Sequence, residues 1–189
     1  MLDQMNQRLK ACTTFEAAIE MILRDVVALH GAEFGNLQLR IGDRLLLVAE
    51  RGLDAPFLHA FREIGRAEHC ASARAWETGD SIVIEDVEAD ETYGPFREVA
   101  REAGYRSVQS TALITRRGRL VGMVSTLFAN IHSPTAIEMA TAQAYAKDAA
   151  DYLEKLLGDT ELESKAIALQ EKLYASLETP AAWDSAAAR

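Results

Sequence analysis

Phe34-Gly35-Asn36-Leu37-Gln38-Leu39-Arg40-Ile41-Gly42-Asp43-Arg44-Leu45-Leu46-Leu47-Val48-Ala49-Glu50 is the stretch that decides the fold class. Leu37, Leu39 and Ile41 alternate with Asn36, Gln38 and Arg40, the period of two that gives a strand an apolar and a polar face. Gly42-Asp43 then supplies a hairpin turn, and the apolar run Leu45-Leu46-Leu47-Val48 within 44–50 reads as the returning strand. Antiparallel pairing is therefore expected between neighbours in sequence.

Upstream the period changes. Leu2, Met5, Leu9, Cys12, Ile19, Leu23 and Val26 recur every three or four positions, which predicts helix from Leu2 to His30 with Glu16 as the break. Thr13 followed by Glu16 reads as a capping box, so a second helix is expected near Phe15, ended by Gly31. Downstream, Asp54-Ala55-Pro56 starts a short helix through Phe57, Phe61 and Ile64. A second short helix covers about 70–77, a strand Ser81–Ile84, an acidic loop Glu85–Glu91, and a third short helix 95–103. Strands at 107–115 and 120–130 flank the turn Arg116-Arg117-Gly118-Arg119, giving a second hairpin. Ser133-Pro134 is read as N-cap and first turn of a long, Ala-rich helix running to Gly158. A last helix from about Thr160 carries Leu162, Ala166, Leu169, Leu173 and Leu177, and the Ala-rich tail 179–189 reads as disordered.

The expected architecture is α+β, an α/β sandwich: a central, mostly antiparallel sheet of five to six strands. Long terminal helices would cover one face, and short helices would lie over a pocket on the other.

Composition excludes more than it identifies. The chain has 189 residues, 20 Lys plus Arg against 29 Asp plus Glu, and a net charge of −9. That balance argues against nucleic acid as a partner, since non-specific binding to phosphate rests on basic patches. No apolar run approaches the roughly 20 residues of a membrane span, and Met1-Leu2-Asp3-Gln4 does not open a signal peptide. Cys12 and Cys70 form no CxxC pair, which suits a reducing, cytoplasmic compartment.

Five segments, in order, carry a resemblance to the GAF domain family. Gly31-Ala32-Glu33-Phe34-Gly35-Asn36-Leu37-Gln38-Leu39 looks like that family's first strand, and Leu47-Val48-Ala49-Glu50-Arg51-Gly52-Leu53 is similar to its second. Trp76-Glu77-Thr78-Gly79-Asp80-Ser81-Ile82-Val83-Ile84-Glu85-Asp86-Val87 resembles its helix-TGE-strand-DV segment. Ser107–Ile114 and Gly118–Thr126 resemble its last hairpin, including the glycine in the final strand. The likeness implies a helical extension at 1–13, a domain at 14–157 and an amphipathic helix at 158–178. It also implies a bacterial sensory module for signal transduction, binding a small molecule and dimerising, without catalysis of its own.

Each chemistry hosted by this family makes a residue demand. The Asn-Lys-Phe-Asp-Glu set of cyclic-nucleotide binders has no counterpart here, and Cys70 lacks the flanking pattern of a bilin-attachment motif. The family's methionine sulfoxide reductases use several cysteines, and Cys70 has no resolving partner. Glu68-His69-Cys70 reads as a capped loop-to-helix junction rather than a metal corner, with His30, His59 and His132 lacking ligand spacing. No metal and no cofactor are expected.

The pocket candidates are Phe34, Asn36, Gln38, Gln109, Thr111, Ser125 and Leu127 on strands, with Phe57, Phe61, Trp76, Tyr93, Phe96 and Tyr105 from the cap. Buried polar side chains in central strands need partners, and an unidentified small-molecule ligand would supply them. The apolar stripes Leu2, Met5, Leu9 and Leu162, Leu169, Leu173 are expected to pair two copies into a homodimer. No kinase, cyclase or DNA-binding pattern follows residue 158; if the chain is complete, its output is expected to act through a separate signalling protein or through the helical bundle itself. The rival readings are a ligand-free dimerisation scaffold, a sensor holding a tetrapyrrole non-covalently, and a redox protein using Cys70 alone.

Overall fold

The computed structural model describes residues 1–157 and 161–178. The expected disordered tail at 179–189, the Gly158 stop and the Thr160 start lie outside the described residues.

Two helices open the chain, α1 (Leu2–Lys10) and α2 (Phe15–His30). The cap of α2 is Thr14, not Thr13: its hydroxyl accepts from the Ala17 N–H at 3.2 Å. Gly31 ends α2 at φ 60°, where the left-handed backbone favours glycine. The hairpin then forms as predicted, β1 (Phe34–Ile41) against β2 (Arg44–Arg51), with a register shift between Leu37 and Gln38.

Asp54 caps a short α3 (Ala55–Ala60). The helix expected to reach Ile64 stops early, and Glu63–Gly65 becomes β3, pairing with Arg44, Leu45 and Leu46. There follow α4 (Ala71–Thr78), β4 (Ile82–Ile84), a 3-10 turn Glu91–Phe96, α5 (Arg97–Ala103), β5 (Ser107–Ile114) and β6 (Leu120–Phe128). Six strands make one antiparallel sheet in the order β3-β2-β1-β6-β5-β4.

The long helix α6 (Ala136–Leu156) starts later than the Ser133-Pro134 signal suggests. Thr135 is its cap: Thr135 Oγ1 accepts from the Glu138 N–H at 3.2 Å while Glu138 accepts from the Thr135 N–H at 2.7 Å. This reciprocal box satisfies two end donors at once, which Ser133 could not do from outside the turn. The last helix is α7 (Leu162–Glu178).

The sheet separates two apolar clusters. On one face, α1, α2 and α6 bring Leu9, Leu23, Val26, Tyr145 and Leu153 onto Leu37, Leu39 and Val124. Ala142, Ala146, Ala149 and Ala150 are all buried, letting α6 approach closely. Asp25, buried on α2, binds Arg8 of α1 at 3.0 Å and accepts from the Tyr145 hydroxyl of α6 at 3.1 Å, tying the three helices together. On the other face Leu45, Leu47, Phe57, Trp76, Tyr93 and Met123 form the second cluster.

Two expectations are corrected here. Met5 and Leu9 are 2% and 1% exposed within the chain's own core, so they are not free for a second copy. And α7 does not stay on one face: Ala166, with Leu162 and Leu169 packed alongside, belongs to the first cluster, whereas Tyr174, with Leu173, belongs to the second. The helix lies against β2 and β1.

Arginines hold the acidic loop in place. Asp86 takes two bonds of 2.8 Å from Arg106, Glu88 pairs with Arg101 at 2.6 Å, and Asp90 with Arg74 at 2.7 Å. The Arg106 guanidinium holds the Asp86 carboxyl below the usual carboxylate range. On the second hairpin Arg116 is likewise engaged, by Asp148 at 2.5 Å and Asp151 at 2.7 Å.

Candidate functional site

Alternation along β1 turns Asn36 and Gln38 toward the short helices, while Leu37 and Leu39 face α2 and α6. Ser125 and Leu127 of β6 point the same way, as do Val108 and Ser110 of β5. Phe57 from α3 and Phe61 at its C-cap, Ala71 and Ser72 from α4, and Tyr93 from the 3-10 turn close the top. The space enclosed is about 10 Å³. That is the size of one water site.

The interior has a polar floor and an aromatic roof. Ser110 and Ser125 share a hydrogen bond of 2.7 Å across β5 and β6. Phe57 and Phe61 stack at 4.4 Å between ring centres. Behind them Tyr93 and Tyr105 join hydroxyls at 2.9 Å, and burial pushes both phenols up. One group on the floor is unsatisfied: Gln38 is 1% exposed, and its Nε2 has no hydrogen-bond partner among the described residues. Among the described residues that line this space none carries a formal charge.

Of the thirteen candidates drawn from sequence, seven line the space: Asn36, Gln38, Phe57, Phe61, Tyr93, Ser125 and Leu127. Phe96 and Tyr105 stand behind the wall, Phe96 at 5.1 Å from Phe61 and Tyr105 edge-on to Phe57 at 5.9 Å. Phe34 packs against Gly52, and Trp76 lies 5.3 Å beneath the Arg40 guanidinium, both outside the lining. Gln109 and Thr111 are corrected outright, because they face α6. Gln109 Nε2 contacts Met139 Sδ of that helix at 3.8 Å, and Thr111 takes a bond from Ser81 at the sheet edge. Sequence reasoning missed Ala71, Ser72, Val108 and Ser110; β5 carries polar residues on both faces, so alternation could not say which set turned inward.

Cys70 is the residue before α4, 1% exposed, with its thiol 3.4 Å from Ser72 Oγ and pushed up by burial. It does not reach the lining. Cys12 sits in the cluster on the other face of the sheet, so the two thiols cannot meet in this fold.

The α6 face holds a second polar cluster. His30 Nδ1 lies 2.9 Å from Thr126 Oγ1, and His132 stacks on Phe128 at 3.8 Å. Burial pushes the His30 imidazole down to about 4, opposed by the Glu138 carboxylate and reinforced by His132. A base whose folded value is depressed contributes stability that is complete above its unfolded value of 6.5 and is lost as pH falls toward 4. Urea midpoints followed from neutral pH down to about 4 should therefore fall more steeply for the native chain than for His30→Gln. The difference should be on the order of 2 kcal/mol. Parallel profiles would refute the assignment.

A model of the GAF domain family matches residues 12–154. The chain belongs to the GAF domain family. GAF domains are modules of sensory and signalling proteins, and the structural neighbours share the fold. The GAF domain of a Coxiella burnetii phosphoenolpyruvate-protein phosphotransferase is 18% identical with a TM-score of 0.69, covering 82% of this chain and 90% of that one. The chromophore-binding domain of the R. palustris bacteriophytochrome RpBphP3 is 14% identical with a TM-score of 0.63, covering 82% of this chain and 59% of that one. A free methionine-R-sulfoxide reductase from Neisseria meningitidis, solved with its substrate, is 19% identical with a TM-score of 0.58, covering 87% of this chain and 89% of that one. No curated protein matches the sequence. No helix among the described residues is long and apolar enough to cross a membrane.

Proposed function

We propose that this GAF domain is a cytoplasmic sensory module whose cap-side space opens to take a small, uncharged, planar molecule, and that it does no chemistry itself. The observation that carries the reading is Gln38 Nε2, without a partner among the described residues, on the floor of a space whose serines are already paired. A buried donor left unmade costs about 1–3 kcal/mol, and a ligand acceptor would recover it. The charge-free lining argues for a neutral ligand, because a bare charge enclosed by Phe57, Phe61 and serines would lose its hydration with nothing in return. The same argument disfavours cyclic nucleotides and the carboxylate-bearing tetrapyrroles.

Absence of catalysis is supported by placement. The serines on the floor bond each other, and among the described residues His30 and His132 lie across the sheet from them on the α6 face. The thiols are divided by the sheet, unlike a nucleophile with its resolving partner. Two free thiols fit a reducing compartment. Self-association through the terminal helices is not part of this reading, because Met5 and Leu9 serve the chain's own core.

Calorimetric titration with benzamide, benzoate and benzamidine tests it, the three differing mainly in charge. Benzamide should bind, the two ions at least about tenfold more weakly, and Gln38→Leu should weaken benzamide by about tenfold. Equal affinity for either ion, or no benzamide binding at all, would overturn it.

A further inference from the structure

The roof of the space and the last helix are joined through the same short segment. Phe57 of α3 and Phe61 at its C-cap form the aromatic roof, and the carbonyls of the residues next to them, Leu58 and Arg62, point at α7. The Tyr174 hydroxyl donates to the Leu58 carbonyl, and Gln170 Nε2 donates to the Arg62 carbonyl at 2.8 Å. The Arg62 guanidinium lies 4.3 Å over the Tyr174 ring, with the His59 ring 6.1 Å away. Ala166, Gln170 and Tyr174 are spaced four apart, so one buried stripe of α7 carries both bonds to this segment.

With room for only one water, the space cannot admit anything larger unless its cap moves, and of the cap's aromatic rings Phe57 and Phe61 lack the hydroxyl bond that ties Tyr93 to Tyr105. Neither ring can shift with its backbone without carrying the Leu58 or Arg62 carbonyl off its α7 donor. We infer that α7 is a latch: its docking through Tyr174 and Gln170 holds the α3 roof closed, and opening the roof for a ligand releases the C-terminal half of α7. This inference rests on the binding reading above and adds its regulation. Coupling of this kind is reciprocal, so a ligand that loosens α7 is bound more tightly when α7 is already loose. The released segment would bare the apolar sides of Leu173 and Tyr174, which gives the domain an output.

Hydrogen exchange on the full chain, with benzamide as probe, decides the matter. In Tyr174→Phe/Gln170→Ala, amides of residues 55–62 should exchange about tenfold faster while β1, β5 and β6 stay unchanged. Lys165→Ala, which removes only the 3.1 Å surface pair with Glu16, should change neither. Saturating benzamide should speed exchange across residues 170–178 of the native chain, and the double variant should bind it about tenfold more tightly. Unchanged exchange at 55–62 in the double variant overturns the latch whatever benzamide does. So does bound benzamide that leaves α7 protected. Faster exchange at 55–62 without benzamide binding to either protein upholds the latch and defeats the binding reading alone.

Discussion

Gly122→Ala should abolish the native fold at ordinary temperature. Gly122 sits in β6 opposite Leu39 of β1, at the junction of the two central strands. A Cβ there would fall 2.1 Å from the Gln38 carbonyl oxygen and 3.2 Å from the Leu39 Cα, both backbone atoms that no rotamer change can move. Relief requires β1 and β6 to part, which unzips the pairing on which both faces depend. The expected cost is about 4 kcal/mol or more, beyond ordinary overpacking. Gly94→Ala is the control: a Cβ there meets nothing within 4 Å, and the urea midpoint should hold to within about 0.5 kcal/mol. A Gly122→Ala chain with a near-native midpoint would refute the contact. The same contact matters for the site, because the carbonyl that abuts Gly122 belongs to Gln38, whose side chain forms the floor.

Removing Arg8 should cost nearly as much, although its own side chain is 43% exposed. Its partner decides the outcome, since the Asp25 side chain is 3% exposed and would keep only the Tyr145 hydroxyl. An exposed ion pair contributes little, but a buried carboxylate stripped of its cation is a different case. Arg8→Met should destabilise by about 3 kcal/mol, and Asp25→Asn added to it should recover a substantial part, because the amide needs no counter-charge. Denaturant unfolding of the two single variants and the double closes the cycle. A double variant no more stable than Arg8→Met would show that packing by the arginine stem, not the charge, is what α1 contributes.

Much of the fold was legible in residue order. The period of two in 34–41, the Gly42-Asp43 turn and the Gly31 stop each gave their elements to within a residue or so. These are local signals, and local hydrogen bonding enforces them. The misses share a cause. Glu63–Gly65 is a strand because β2 lends it partners, and three residues carry no periodicity of their own. Ser133 lost the cap to Thr135 because a reciprocal Glu lies three residues beyond the latter, a pair outweighing a Ser-Pro signal. Within the site, strands with one polar face were read correctly, as Asn36 and Gln38 show. Strand β5, polar on both faces, was not. The leucine stripe of α7 was visible, yet a stripe cannot say whether it meets another copy or the chain that bears it.

That last helix also bears on how the molecule assembles. The bond from Tyr174 to Leu58 spans 116 positions, while the β1–β2 hairpin closes over a two-residue turn. During synthesis the α2 helix and both hairpins can form long before residue 174 leaves the ribosome. The aromatic roof then waits, half-made, for its final contact. In the reverse direction α7 can come away without breaking any strand pairing, so the segment completed last is the one through which unfolding should begin.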